Sequence, residues 1–322
     1  MATIIDGKID QGTMTSRAKG GTELLMQRIV DNVPSEHLEG VQIHVSRVTH
    51  EIESGKKQVY YAHDLSGDPA ADAALADSQW KRFDLGVFVS HWQRQAFHER
   101  YQIPYSWSVV IPNAIEPIPT SKKRGDGKIK MIYTSTPHRG LGILYTVFDT
   151  LSKNYDNVEL DVYSSFGLYG WEQRDEQFKD LFDLLESHPK INYHASKPNE
   201  EVREALQNSD VFIYPSVWQE TSCLCLIEAM SAGLICVHSS LAALPETAKG
   251  LTWMYDYTDD VQDHANELYR QAATVIHMAE ANGGIDHLKL PNLQKTITDH
   301  NHNLARFARS WTVALERLKM SA

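Results

Sequence analysis

The chain has 322 residues, more than a single hydrophobic core usually serves, so two domains are expected. Its 42% apolar and 23% charged residues are those of a folded globular protein and exclude a disordered or fibrous one. A formal charge of -11 argues against a nucleic-acid backbone as partner, because neutralising phosphates takes clustered Lys and Arg.

In chain order, Met1 to Asp10 lacks the basic start and apolar run of a secretory signal, so secretion is not expected. Only Ile4 and Ile5 stand where a doubly wound domain normally opens with a strong apolar strand, which predicts a shortened amino-terminal domain. Beyond this point short apolar runs alternate with segments of helical period, the pattern of a parallel sheet covered by helices. Strands are predicted at residues 41–45, 58–62, 85–89 and 108–111.

Residues 117–127 are rich in Pro, Gly and charge and cannot form a strand or a helix interior. They mark a hinge, with Lys122-Lys123-Arg124 read as solvated linker. The expected division is an amino-terminal domain at 1–119, a second domain at 120–297 and a carboxy-terminal helix at 298–322. Further strands are predicted at 130–134, 158–163, 191–193, 211–214 and 234–237, rich in Val, Ile and Tyr as strands buried on both faces are. Leu141, Leu144, Tyr145, Phe148 and Leu151 form one helical stripe. Leu304, Phe307, Trp311, Leu315 and Leu318 form another, predicted to return to the first domain.

A hydropathy window flags residues 221–245, yet Glu228, Gly233 and Pro245 divide it into pieces too short to cross a bilayer, so no transmembrane segment is expected. Cys223, Cys225 and Cys236 fit neither a zinc knuckle nor a disulfide framework. A reducing, cytoplasmic setting with buried thiols is expected.

The segment from Tyr214 to Gly233 follows a strand and runs into a helix, where α/β sheets bind ligands and helix amides attract phosphate. Thr221 or Ser222 is the expected N-cap. Glu220 would lie in the loop and Glu228 along the helix, too far apart for a retaining glycosidase pair, which needs about 5–5.5 Å. They read as separate hydroxyl acceptors; the plain alternative is a solvated Glu220 and a Glu228 paired with a neighbouring base.

Pro215-Ser216, Glu220, Glu228-Ala229-Met230 and Gly233 resemble the retaining glycosyltransferases of family 4. The resemblance implies a GT-B fold, two Rossmann-like doubly wound domains facing across a cleft. It places Glu220 on donor-sugar hydroxyls and Glu228 on the nucleotide ribose. Thr221-Ser222-Cys223, leading into Leu224, stands where many members have Gly-Phe-Gly, which keeps backbone donors but brings side chains near the sugar. Lys19-Gly20-Gly21 resembles the family's Gly-Gly loop, and His63 its cleft histidine contacting the donor sugar. Ser90-His91-Trp92 and Ile111-Pro112-Asn113-Ala114-Ile115 also resemble the family and read as architecture.

Tyr133 to Leu141 resembles the loop that presents cations to the diphosphate, with Ser135 in it and Arg139 as the guanidinium. Many relatives carry a second basic residue where this chain has Thr134. Lys197 is the candidate substitute, although loops of this kind face the nucleobase.

No Asp-any-Asp triplet occurs, and neither Asp259-Asp260 nor His300 with His302 has a ligand spacing; both groups read as surface. The resemblance implies metal-independent, retaining transfer of a hexose from a nucleotide sugar, of GDP-mannose or UDP-glucose type, to a glycan or other hydroxyl acceptor, without a cofactor. Arg139, Glu220 and His63 are the expected catalytic residues. A homodimer is a further possibility. The alternatives are a non-catalytic nucleotide-sugar-binding module, and an epimerase or phosphorylase on a related fold. A dehydrogenase is disfavoured because no Gly-x-Gly-x-x-Gly follows a strand.

Overall fold

The structure is a computed structural model and describes residues 3–10, 20–120, 125–288 and 293–320. Residues 121–124 of the central linker, with the Lys122–Arg124 cluster, and Lys19 therefore lie outside the described residues. The chain parts into two compact units, residues 1–116 with 301–322, and residues 117–300.

The first unit opens with a hairpin, β1 (Thr3–Ile5) and β2 (Lys8–Asp10), where sequence reading finds only two isoleucines. Its turn is Asp6-Gly7, both at positive φ (47° and 74°), the two-residue connection whose twist matches that of the strands. There follow α1 (Gly21–Asn32), α2 (Ser35–Leu38), β3 (Val41–Val45), β4 (Lys57–Tyr61), α3 (Pro69–Leu75), β5 (Leu85–Phe88), α4 (His91–Tyr101) and β6 (Ser108–Val110). The sheet order is β2-β1-β3-β4-β5-β6. Strands β3 to β6 are parallel and β1 is antiparallel to β3, so the hairpin covers the edge where a further parallel strand would extend the sheet. Tyr60, Phe83, Phe88, Phe97 and Trp107 fill one core.

The second unit comprises β7 (Ile129–Tyr133), α5 (Leu141–Asn154), β8 (Val158–Val162), α6 (Lys179–Ser187), β9 (Ile191–Tyr193), α7 (Asn199–Gln207), β10 (Val211–Tyr214), α8 (Leu224–Ser231), β11 (Ile235–Ser239), α9 (Leu244–Ala248), β12 (Trp253–Tyr255), α10 (Val261–Ala281) and α11 (Leu293–Asn301). All six strands are parallel, in the order β12-β11-β10-β7-β8-β9. In the apolar stripe of α5, Leu141, Leu144, Phe148 and Leu151 are buried as their spacing predicts, and Tyr145 is half-buried. Residues 221–245 are cut into α8, β11 and the start of α9, and no described helix is long and apolar enough to cross a membrane.

The final helix, α12 (Leu304–Met320), belongs to the first unit and packs on α1 and α2. Trp311 is fully buried there, edge-on to Tyr61 at 5.0 Å. Two sheet-cored α/β units are the make-up of the GT-B fold.

Candidate functional site

In the second unit chain order reverses between β7 and β10. Strands β8 and β9 add on one side of β7, and β10, β11 and β12 on the other. Connections leaving the carboxyl ends of β7 and β10 run to opposite faces of the sheet, and the crevice between them is where open α/β sheets bind ligands. The first connection carries Ser135 and Arg139, the second Glu220.

Arg139 ends a short 3-10 turn, Pro137–Arg139, that precedes α5. Its Nη1 donates to Glu220 Oε1 at 2.5 Å, an ion pair across the crevice. The side chains are 22% and 7% exposed, so the pair is largely removed from water. Burial opposes the charge on Arg139, but the Glu220 carboxylate, joined by Tyr214, Tyr169 and Cys225, outweighs it and holds the guanidinium well above its ordinary pKa. Arg139 Nε is shielded and makes no hydrogen bond. A solvated Glu220 is thereby overturned.

Tyr214, the last residue of β10, donates its phenol to the same Glu220 oxygen at 2.5 Å. Burial and then the Glu220 charge push the phenol well above its ordinary pKa, so it remains a donor. Ser135 Oγ lies 3.5 Å from the Tyr214 phenol. The loop is pinned by Ser216, which accepts from Trp218 N and donates to Trp218 O, while its own carbonyl accepts from Ser239 Oγ. The Glu220 carbonyl accepts from Ala243 N at 3.1 Å. Sequence reading assigned Tyr214 no role. The only available signal was a phenol at the carboxyl end of a fully apolar strand.

Glu228 is buried on α8 and has partners of its own: Asn199 Nδ2 at 3.3 Å and Arg203 Nη1 at 3.6 Å, both on α7. The two glutamates are thus held by separate sets, and Glu228 is paired with a base, Arg203, as the plain alternative has it. The N-cap of α8 is Cys223, not Thr221 or Ser222, and its side chain makes no capping bond. Thr221, Ser222 and Leu224 are half-buried around it. The cap position moves because the helix starts later than the Thr-Ser pair suggests, leaving that pair in the loop after Glu220. Cys223 Sγ and Cys225 Sγ lie 3.3 Å apart, and all three cysteines are free thiols.

Lys197 is exposed in the loop between β9 and α7. Thr134 Oγ1 is buried with no hydrogen-bond partner. A cation missed by sequence reading, Arg174, stands over Trp171 at 4.5 Å and over Phe166 at 5.9 Å. Phe166 in turn stacks on His138 at 5.2 Å, next to Arg139. Burial first, then Arg139 and Arg174, push His138 down to about 4. His138 also lines a cavity of about 340 Å³ with Ile143, Val217, Tyr257 and Asp259.

In the first unit, Gly20 caps α1 and Gly21 opens it, with Gly20 at an ordinary φ of -72°. His63 follows β4; its ring meets Tyr61 at 4.2 Å, and burial pushes it down to about 3, leaving a neutral imidazole. Asp259 and Asp260 are exposed, Asp260 capping α10. His302 is buried rather than on the surface and bonds the Asn113 carbonyl through Nδ1 at 2.7 Å, because the chain turns here into α12 beneath the 111–115 segment. Among the described residues no group of three or more His, Cys, Asp or Glu could hold a metal ion.

Residues 115–270, which contain all of β7 to β12, match the family model for glycosyl transferases group 1. A glycosyltransferase from Rickettsia africae superposes with TM-score 0.65 at 13% identity, over 96% of this chain and 85% of that one. Anabaena Alr3699/HepE in complex with UDP-glucose superposes with TM-score 0.62 at 14% identity, over 81% and 72%. The fold is GT-B. In sequence the chain is 24% identical over 194 residues to the GPI3 subunit of phosphatidylinositol N-acetylglucosaminyltransferase from Saccharomyces cerevisiae. That match takes in 56% of this chain and 41% of the yeast protein, so the chain spans about two fifths of the curated relatives it matches. This GT-B chain is thus related to glycosyltransferases, most clearly through its second unit.

Proposed function

We propose that the chain transfers a hexose from a nucleotide sugar to a hydroxyl acceptor with retention of anomeric configuration. The observation that carries this reading is the Arg139–Glu220 pair across the switch point of the second unit, with Glu228 set apart on the helix that follows. In this reading 117–300 is the donor unit and 1–116 with 301–322 the acceptor side.

Glu220 accepts from donor-sugar hydroxyls, Glu228 from ribose hydroxyls, and the amides of Thr221 to Leu224 face the diphosphate, with Ser135 and Lys197 at the edges of the same site. Gly20, Gly21 and His63 serve the donor from the first unit, where a neutral His63 can act as a hydrogen-bonding group. The bond from the anomeric carbon to the leaving phosphate oxygen breaks while the acceptor oxygen adds on the same face. Arg139 and helix amides stabilise the charge that develops on the diphosphate, and a phosphate oxygen takes the acceptor proton. This is metal-independent chemistry in a cytoplasmic setting that keeps the thiols reduced.

Alr3699/HepE in complex with UDP-glucose suggests starting with uridine donors, followed by GDP-mannose. The test is calorimetric titration with these nucleotide sugars in EDTA, with Glu220→Ala and Glu228→Ala as controls. Saturable binding of one donor, weakened by both changes, is expected. No binding of any donor would withdraw the transferase reading.

A further inference from the structure

Arg139 is neutralised by an anion of the protein itself, and it is the carboxylate assigned above to the donor sugar. Nη1 is taken by Glu220 Oε1 at 2.5 Å, and Tyr214 donates to that same oxygen. A diphosphate arriving at the guanidinium meets Glu220 as a competitor. If it displaces Glu220, a buried carboxylate is left beside new negative charge with Tyr214 as its remaining donor. A buried carboxylate stripped of its cation is costly unless other donors replace it. Sugar hydroxyls are such donors and bring no charge.

We propose that Glu220 and the donor diphosphate compete for Arg139, and that sugar hydroxyls decide the competition. A nucleotide sugar supplies both halves of the exchange: phosphate for Arg139 and hydroxyls for Glu220. A bare nucleoside diphosphate supplies only the first. Glu220 therefore selects against the bare diphosphate, and once the sugar has left it recaptures Arg139 and drives product release. This rests on the reading of Glu220 as the sugar-facing carboxylate.

The neutral variant Glu220→Gln keeps the shape and removes the competing charge. Calorimetry on the full chain in EDTA, with UDP, GDP, inorganic pyrophosphate and the matching nucleotide sugars, should show the diphosphates binding about tenfold tighter to the variant, the scale of one close charge pair. The nucleotide sugars should bind no tighter, so the preference for them collapses. A second measurement needs no variant. Free hexose should tighten nucleoside diphosphate binding to the wild-type chain, and the diphosphate should tighten hexose binding by the same factor. Diphosphates that bind the wild type and bind Glu220→Gln equally or more weakly would overturn the proposal. So would the absence of hexose coupling in the wild type, which settles the matter if the variant does not fold. Failure of every nucleotide sugar and diphosphate to bind the wild type would instead remove the transferase reading, and this inference with it.

Discussion

The carbonyl oxygen of Pro215 lies 2.0 Å from where a Cβ on Gly140 would stand. Gly140 has a φ of 108° and caps α5, so the connection bearing Arg139 rests directly on the one bearing Glu220. Both the positive φ and the contact demand glycine. The backbone cannot give way as a flexible side chain would, so the crevice depends on this contact. Gly140→Ala should lower stability by more than about 2 kcal/mol in urea unfolding, combining left-handed strain with a backbone clash. A shift of a few tenths would show that the two connections are not in rigid contact.

Tyr214 should act through Glu220. Tyr214→Phe keeps the buried ring and removes one donor, at a stability cost of about 1–2 kcal/mol. If the phenol orients the carboxylate, nucleotide-sugar affinity falls several-fold while the affinity for bare diphosphate does not. The control is Tyr133→Phe, which loses a bond to the Thr136 carbonyl. Equal loss for sugar-bearing and bare ligands in Tyr214→Phe would reduce Tyr214 to a packing residue.

Stability should fall with acid. Burial pushes His63 down to about 3 and His238 down to about 4; for His138, at about 4, burial is joined by Arg139 and Arg174. Each folded value lies below the ordinary histidine value of about 6.5, so between the two the unfolded chain binds protons that the folded chain refuses. The contribution is fully present above that ordinary value and is lost as pH falls toward 4, at up to about 1.4 kcal/mol per pH unit per histidine. Urea midpoints measured from pH 7 to 5 should decline, and His63→Gln should decline less steeply. An unchanged slope would remove His63 from the acid-sensitive set.

Of the two candidate second cations, Arg174 should matter more than Lys197. Both side chains are exposed, but Arg174 is linked through Phe166 to His138 beside Arg139. Arg174→Ala should weaken pyrophosphate and nucleotide-sugar binding about fivefold, as loss of a nearby charge does, and Lys197→Ala should change it by less than about twofold. The reverse ranking would return the role to Lys197.

Periodicity alone was enough to place the strands and helices that matter most, because a strand buried on both faces must be apolar throughout and a covering helix must carry a stripe. The β7, β8, β10 and α5 segments and the stripe of α12 are of this kind. The opening hairpin was missed although Asp6-Gly7 between isoleucine-bearing segments is a hairpin signal, since its two three-residue strands are too short to show a period. Strand β12 was missed for the same reason: Trp253–Tyr255 is too short to show a period.

The residues Arg139, Glu220 and Glu228 could be picked from sequence because the short motifs around them, local properties of the chain, resemble those of family 4 glycosyltransferases. What only the tertiary structure decided is which of them meet. Arg139 and Glu220 are 81 residues apart and touch because the strand order reverses between β7 and β10. The separate anchoring of Glu228 on α7, the phenol of Tyr214 under Glu220, and the burial of His302 follow from packing of the same long-range kind. A helix or strand is set by neighbours a few residues away, whereas an ion pair across a crevice exists only after two distant connections have been brought to the same edge of a sheet.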